Sequence, residues 1–251
     1  MMRMAKPRKP RKGEDPGAVL WWDDAMRLER LVAYCRLDVE TERAIRRKLV
    51  PLSDEERAVY LFDQRMNDRG IRIDVEFVHA LKRIAEQAKK RIDRDLRIVT
   101  AGAVTAGSQV SALTGWLSSE LCWKIDSLDK NALEDLLALP DIPAHVRRAV
   151  ELRREYAKTS TAKLDAMLKC AGEGDRARGL HLYHGASTGR WAGRLIQTQN
   201  MPRGSGVIKD PDAAAPFILR GDADLVELFF GPAMSAVSDC LRACLVASEG
   251  R

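Results

Sequence analysis

Apolar residues return along most of this chain at intervals of three and four, the spacing of one helix face. Over 23–49, Leu28, Leu31, Val32, Cys35 and Val39 share such a face, and Pro51 ends the segment. Ser53 followed by Glu56 is a capping box that opens a second helix through Leu61, Phe62 and Met66. Gly70 is placed to stop that helix in the left-handed conformation. Asp74 can then cap a longer one, along which Val78, Leu81, Ala85, Ala88, Ile92, Leu96 and Val99 recur with Lys and Arg between them. A Gly/Ser/Thr break at 101–108 precedes short helices around 110–117 and 130–137. A second long helical stretch runs from Pro143 to Cys170, with Val146, Val150, Leu164 and Leu168 on one side. Arg147, Arg148, Arg153, Arg154 and Lys158 lie around its other sides, and Gly172, Gly174 and Gly179 end it. Residues 181–185 read as a short strand, followed by a loop-rich segment to Pro216. Helical spacing resumes over 225–229 and 234–246, and no internal repeat is visible.

The pattern predicts a mainly α chain: two long antiparallel helices with small helices between them, then a small α+β portion. Aromatic residues make up only 6% of the 251, which disfavours a β sandwich or barrel. The formal charge of +6 suits a polyanionic partner without requiring one. Lys6, Arg8, Lys9, Arg11 and Lys12, interrupted by Pro7 and Pro10, read as a solvated or disordered arm, or as a tail that touches nucleic-acid backbone. No apolar h-region follows this start, and no apolar run is long enough for a membrane span, so the expected compartment is the cytoplasm. Cys35, Cys122, Cys170, Cys240 and Cys244 contain no CxxC pair and are read as reduced and mostly buried.

Chemistry concentrates in Gly185-Ala186-Ser187-Thr188-Gly189-Arg190-Trp191-Ala192-Gly193-Arg194 and in Gln199-Asn200-Met201-Pro202-Arg203. Arg, Gln and Asn offer forked donors that read minor-groove acceptors or clamp phosphates, and the glycines let backbone come close. The segment resembles the opening of the palm in family-A, DNA polymerase I-like DNA polymerases, where S-T-G-R precedes Q-N-x-P. Its longer G-A-S-T-G-R-W-A-G-R form is similar to the phage and prophage subgroup. The resemblance implies that Arg190 reads the primer end in the minor groove and that Gln199 and Asn200 contact DNA nearby. Arg194 and Arg203 join that set.

The neighbouring segments fall in the same family order. Tyr34 and Asp38 resemble the Y-x-x-x-D element that closes a 3′–5′ exonuclease domain, where the aspartate binds a metal and the tyrosine orients the attacking water. Lys158, Thr159, Ser160 and Lys163 resemble the thumb segment that follows the duplex backbone, chemistry suited to phosphate contact without sequence readout. The implied division is 1–50, a basic arm and the end of an exonuclease-like domain; 51–179, a thumb-like helical module; and 180–251, the first part of a palm. The implied partner is a primer–template DNA duplex.

The family's two palm aspartates, its fingers helix and the D-x-E strand of its exonuclease are expected outside this sequence. Mg2+ then belongs to the full-length parent and is not expected to bind tightly here, since Asp38 alone is a weak metal ligand. Asp74-Val75-Glu76 and Asp38-Val39-Glu40 mimic D-x-E, but the first reads as a helix cap and the second lies in a helix. Alternative readings are a non-catalytic interaction protein and one half of a split polymerase, with a second chain supplying the remaining palm and fingers. His79 and His145 read as lone helix residues, His181 and His184 as a pair without a third ligand, and Trp21, Trp22, Trp116 and Trp123 as packing residues. Ser187 has no His/Asp partners, and Gly204-Ser205-Gly206 lacks the Lys-Ser/Thr of a P-loop.

Overall fold

Helix formation in this chain is set locally by caps and stabilised by one apolar stripe. The computed structural model describes residues 6–22, 24–158, 160–202 and 204–247, and two compact units divide it, Met1–Ala58 and Val59–Arg251. In the first unit, Arg8 pairs with Leu20 through a backbone bond of 2.8 Å, and its guanidinium grips Glu14 at 2.6 and 2.7 Å. The basic start therefore folds back on itself instead of trailing freely, because a bidentate carboxylate is available six residues away. Helix α1 (Ala25–Lys48) follows, with the Asp24 side chain accepting from the Arg27 amide and Arg46, Arg47 and Lys48 against its negative end. None of its residues is buried, so the stripe containing Leu28, Val32 and Val39 faces outward. Ser53 Oγ accepts from the Glu56 amide at 3.2 Å and opens α2 (Asp54–Arg69), within which the division between the units falls.

The second unit is organised on α3. Gly70 adopts φ +65°, a position where a Cβ would stand 2.4 Å from the Ala177 carbonyl, and strand β1 (Ile71–Ile73) starts immediately after it. Asp74 accepts from the Phe77 amide at 2.9 Å and starts α3 (Val75–Val99), whose Val78, Leu81, Ile84, Ala85, Ala88, Ile92 and Leu96 are all buried. Two small helices, α4 (Val110–Leu121) and α5 (Lys130–Ala138), lead into α6 (Ala144–Tyr156) and α7 (Ser160–Cys170). Contacts descend along this second arm as they ascend α3: Asp95 meets Arg148 at 3.5 Å, Lys89 lies 5.1 Å over the Tyr156 ring, and Lys82 pairs with Asp165 at 2.6 Å. The pairing is antiparallel, as the sequence predicts. The arm is two helices and not one, with the break after Tyr156. Lys158 there turns its ammonium onto Ser235, and Thr159 and Ser160 belong to residue types that favour helix starts over interiors.

Strands β2 (Arg176–Ala177), β3 (His181–Leu182), β4 (Ala192–Gly193) and β5 (Leu245–Val246) complete the small sheets. The first sheet is antiparallel in the order β2-β1-β5, with Arg72 opposite both Arg176 and Val246; the second pairs β3 with β4, His181 opposite Gly193. Residues 211–216, read from the sequence as the end of a loop-rich segment, lie in helix α8 (Pro211–Ile218). Asp210 caps it and Pro211 occupies its first turn, where a missing N–H costs nothing. After α9 (Ala223–Phe230), helix α10 (Ala233–Cys240) stops earlier than its spacing suggests, and Leu245 and Val246 belong to β5, because β1 offers them a ladder. The cysteines also differ from expectation: all five are free, but only Cys240 and Cys244 are buried, while Cys35 on α1 and Cys122 just past the end of α4 are exposed. Trp116 packs against the core, whereas Trp21 and Trp123 are about half exposed, at 45% and 49%. No helix among the described residues is long and apolar enough to cross a membrane.

Candidate nucleic-acid interface

The Arg-, Gln- and Asn-bearing segment is a folded hairpin and loop, held from both ends. Strand β3 turns back at 183–190, with Gly185 N–H donating to Leu182 O at 3.2 Å and Ala186 N–H to Arg190 O at 3.1 Å, and returns as β4. His184 (φ +49°), Leu195 (φ +56°) and Gln197 (φ +50°) are non-glycine residues in the left-handed region, so this stretch carries local backbone strain. Such geometry persists only where surrounding contacts impose it.

Those contacts come from three helices. On α2, buried Asp63 accepts from Trp191 Nε1–H at 2.8 Å, and Asn67 exchanges two bonds with the His181 backbone at 2.9 and 3.0 Å. On α7, Lys163 donates from Nζ to the Ile196 carbonyl at 3.1 Å. At the end of α10, Asp239 accepts from Ser205 N–H, from Ser205 Oγ at 2.9 Å and from Ile208 N–H at 2.9 Å. Three residues on, Arg242 donates to the carbonyls of Met201 and Pro202 at 3.2 and 3.1 Å. None of Asp63, Asn67, Asp239 and Arg242 stands out in the sequence, since each looks like an ordinary polar position on an amphipathic helix.

On this frame, Arg190 and Arg194 are exposed, and neither side chain has a hydrogen-bond or ion-pair partner among the described residues. The Arg194 main chain is fixed by a 2.8 Å bond from its N–H to Leu180 O. Gln199 and Asn200 are exposed on a single 3-10 turn (Thr198–Asn200), where Asn200 Nδ2 donates to Gln197 Oε1 at 3.0 Å. The Gln199 amide lies over Gly193 so closely that a Cβ there would stand 2.0 Å from Nε2. Lys158 is partly withdrawn from solvent: its ammonium bonds Ser235 Oγ, and burial lowers its pKa from the ordinary lysine value. Thr159 and Arg203 lie outside the described residues, as does the Ser160 side chain.

Tyr34 and Asp38 sit one turn apart on α1, both exposed. The charge of Asp38, and then the hydrogen bond between the two groups, raises the Tyr34 phenol above its ordinary value. Among the described residues no group of three or more His, Cys, Asp or Glu side chains could hold a metal ion. One carboxylate on an exposed helix offers Mg2+ a single protein ligand, so Asp38 by itself does not fit a Mg2+ site.

A cationic, donor-rich loop on a rigid helical frame is the kind of surface that grips a polyanion. In sequence the chain is similar to the DNA polymerase of Bacillus phage SP02, with 36% identity over 231 residues, which is 90% of this chain and 35% of that polymerase. The chain thus spans about a third of the length of that relative. No family model matches the chain. No solved structure matches it.

Proposed function

We propose that this chain is part of a family-A DNA polymerase of phage type and that it holds a primer–template duplex. In this reading residues 51–179 are the thumb, 180–251 begin the palm, and 1–50 close an exonuclease-like domain. The observation that carries it is the exposure of Arg190 and Arg194, unpaired among the described residues, on a hairpin fixed to three helices. Similarity to a phage polymerase over 90% of the chain supports the same reading.

Arg190 would reach minor-groove acceptors at the primer end, with the amides of Gln199 and Asn200 beside it. Acceptors at purine N3 and pyrimidine O2 occur in every base pair, so such contacts hold DNA without selecting sequence. Arg194, Arg203, Thr159 and Ser160 would meet phosphates. An ammonium has three protons, so Lys163 can anchor the Ile196 carbonyl and still face the backbone of the duplex. Lys158, partly desolvated against Ser235, would contribute less. Nucleotidyl transfer in the whole polymerase would use Mg2+ held by palm carboxylates.

The test is fluorescence anisotropy with a labelled primer–template hairpin at roughly 50 and 200 mM salt. Affinity should fall on the order of tenfold or more between them, because each neutralised phosphate releases counterion. A folded, monodisperse chain that ignores the hairpin at low salt would sink the reading. One feature favours an added partner. β5 is the last strand in the order β2-β1-β5, so its outer edge has no ladder partner among the described residues. A chain supplying the remaining palm and fingers could extend the sheet there, and DNA synthesis appearing only on mixing would identify it.

A further inference from the structure

We infer that Asp63 and Asn67, on a helix outside the DNA-facing loop, are positioning residues that set the aim of Arg190. The inference rests on the DNA-holding reading above, and it assigns to α2 a role that no motif in the chain announces.

Asp63 is only 1% exposed, and its hydrogen-bond partners among the described residues are all neutral N–H groups. One carboxyl oxygen accepts from the Trp191 indole at 2.8 Å; the other accepts from Asn67 Nδ2 at 3.1 Å and from Gln64 Nε2 at 3.2 Å. A carboxyl group at this depth is a poor choice for stability alone, since an apolar side chain would avoid its desolvation. Its geometric effect is specific. Trp191 follows Arg190 directly, and adjacent Cα atoms are about 3.8 Å apart, so fixing the indole fixes where the arginine leaves the backbone.

Asn67, one turn further along α2, holds the other side of the hairpin. Its amide closes a two-bond ring with the His181 backbone, and its main-chain carbonyl accepts from Gly179 N–H at 3.1 Å. Tyr183 braces the space between, with its ring centroid 5.6 Å from Tyr60 and 5.8 Å from Trp191. A single helix face therefore grips β3 through Asn67 and the entrance of β4 through Asp63. Between these grips lie the left-handed His184 and Gly189 (φ +75°) and Arg190, whose side chain is unpaired among the described residues. A forked donor reading a groove edge must be placed to about 0.5 Å, a tolerance that a free loop does not hold.

The experiment measures hairpin affinity by anisotropy for the wild-type chain, Asp63→Ala, Trp191→Phe, Arg190→Ala and Asp63→Ala/Arg190→Ala, alongside backbone hydrogen exchange without DNA. Asp63→Ala and Trp191→Phe should each weaken binding roughly three- to tenfold, and Asp63→Ala should add nothing once Arg190 is gone. Exchange at 186–190 should accelerate in both variants while the α3 amides stay protected. Trp191→Phe keeps an aromatic ring against Tyr183 while losing the indole N–H and part of the ring's bulk, so it carries the test if Asp63→Ala fails to fold. Unchanged binding in both variants, with Arg190→Ala impaired, overturns the positioning role and leaves the DNA-holding reading standing. A full additional loss from Asp63→Ala in the Arg190→Ala background overturns it too, by showing a general structural effect. If the wild-type chain binds no DNA, the DNA-holding reading fails, and unchanged exchange at 186–190 would separately remove the clamp.

Discussion

Lys163 Nζ donates to the carbonyl of Ile196 at 3.1 Å and ties α7 to the loop that carries Gln199 and Asn200. The bond sits between two left-handed residues, Leu195 and Gln197, where the chain would otherwise relax. A lysine that the sequence suggests for phosphate contact is thus a strut within the protein. The cations of this surface fall into two kinds, those that hold the protein together and those left for a ligand.

That division gives an order of effects on DNA binding. Arg190→Ala, removing a groove-edge donor, should cost about 1 to 3 kcal/mol of binding, and Arg194→Ala, removing a phosphate contact, should weaken binding and lower the salt slope by about one. Lys158→Met, removing a cation already turned onto Ser235, should change affinity less than either. Anisotropy titrations across a salt series check the order, and a larger loss for Lys158→Met would reverse the assignment.

Gly70 joins α2 to β1 where no side chain fits. With φ at +65° and a Cβ position 2.4 Å from the Ala177 carbonyl, Gly70→Ala has to move backbone, not a side-chain tip. The expected destabilisation is on the order of 2 kcal/mol in urea unfolding. Gly102→Ala has a similar φ of +86° with open space around it, and should cost less. Equal losses would show that strain alone, and not the Ala177 contact, sets the value.

Local signals carried most of the helices into the sequence. Asp74 and Ser53 cap the helices they were positioned to cap, and Gly70 takes the left-handed turn, because caps and turns are decided within a few residues. Helix α8 escaped because Pro216 reads as a breaker, although Asp210-Pro211 is a good helix start. Two-residue strands such as β2 and β5 have too few residues to show a period, and they exist only because β1 lies alongside. The loop's supports were illegible for the same reason. Asp63 and Trp191 are 128 residues apart, and nothing near Asp63 distinguishes it from a solvent-facing helix carboxyl.

Lys158 makes a pH prediction. Burial lowers its pKa below the ordinary 10.5, with Arg154 adding to the shift and Glu155 and Asp239 opposing it. Between its folded and unfolded values the unfolded chain binds more protons, so this lysine's penalty is full at neutral pH and shrinks as pH rises toward 10.5. Lys158→Met should therefore melt at or above the wild-type temperature at pH 7, with the gap closing under alkaline conditions. Melting curves of the two proteins that stay parallel from pH 7 to about 10.5 would remove the desolvation argument.

The five thiols should separate by burial and report on DNA binding at the same time. Cys35 and Cys122 are exposed and Cys170 is partly buried, while burial pushes Cys240 and Cys244 up to about 12. At pH 8 the latter pair would be thiolate to roughly one part in ten thousand, so they should react with a disulfide reagent only through opening of the second unit. Two thiols should label at once, one slowly, and two at the opening rate. Cys240 follows Asp239, whose carboxylate holds Ser205 and Ile208, so an opening that displaces the end of α10 would expose the thiol and release the 205–208 loop together. A duplex that binds only the closed surface would suppress that opening in proportion to its occupancy, by the factor 1 + [DNA]/Kd. Slowed labelling of Cys240 and Cys244 with a hairpin present, and unchanged labelling of Cys35, would locate DNA on the second unit. Labelling of both buried thiols at the same rate with and without bound hairpin would mean that the duplex sits elsewhere on the chain.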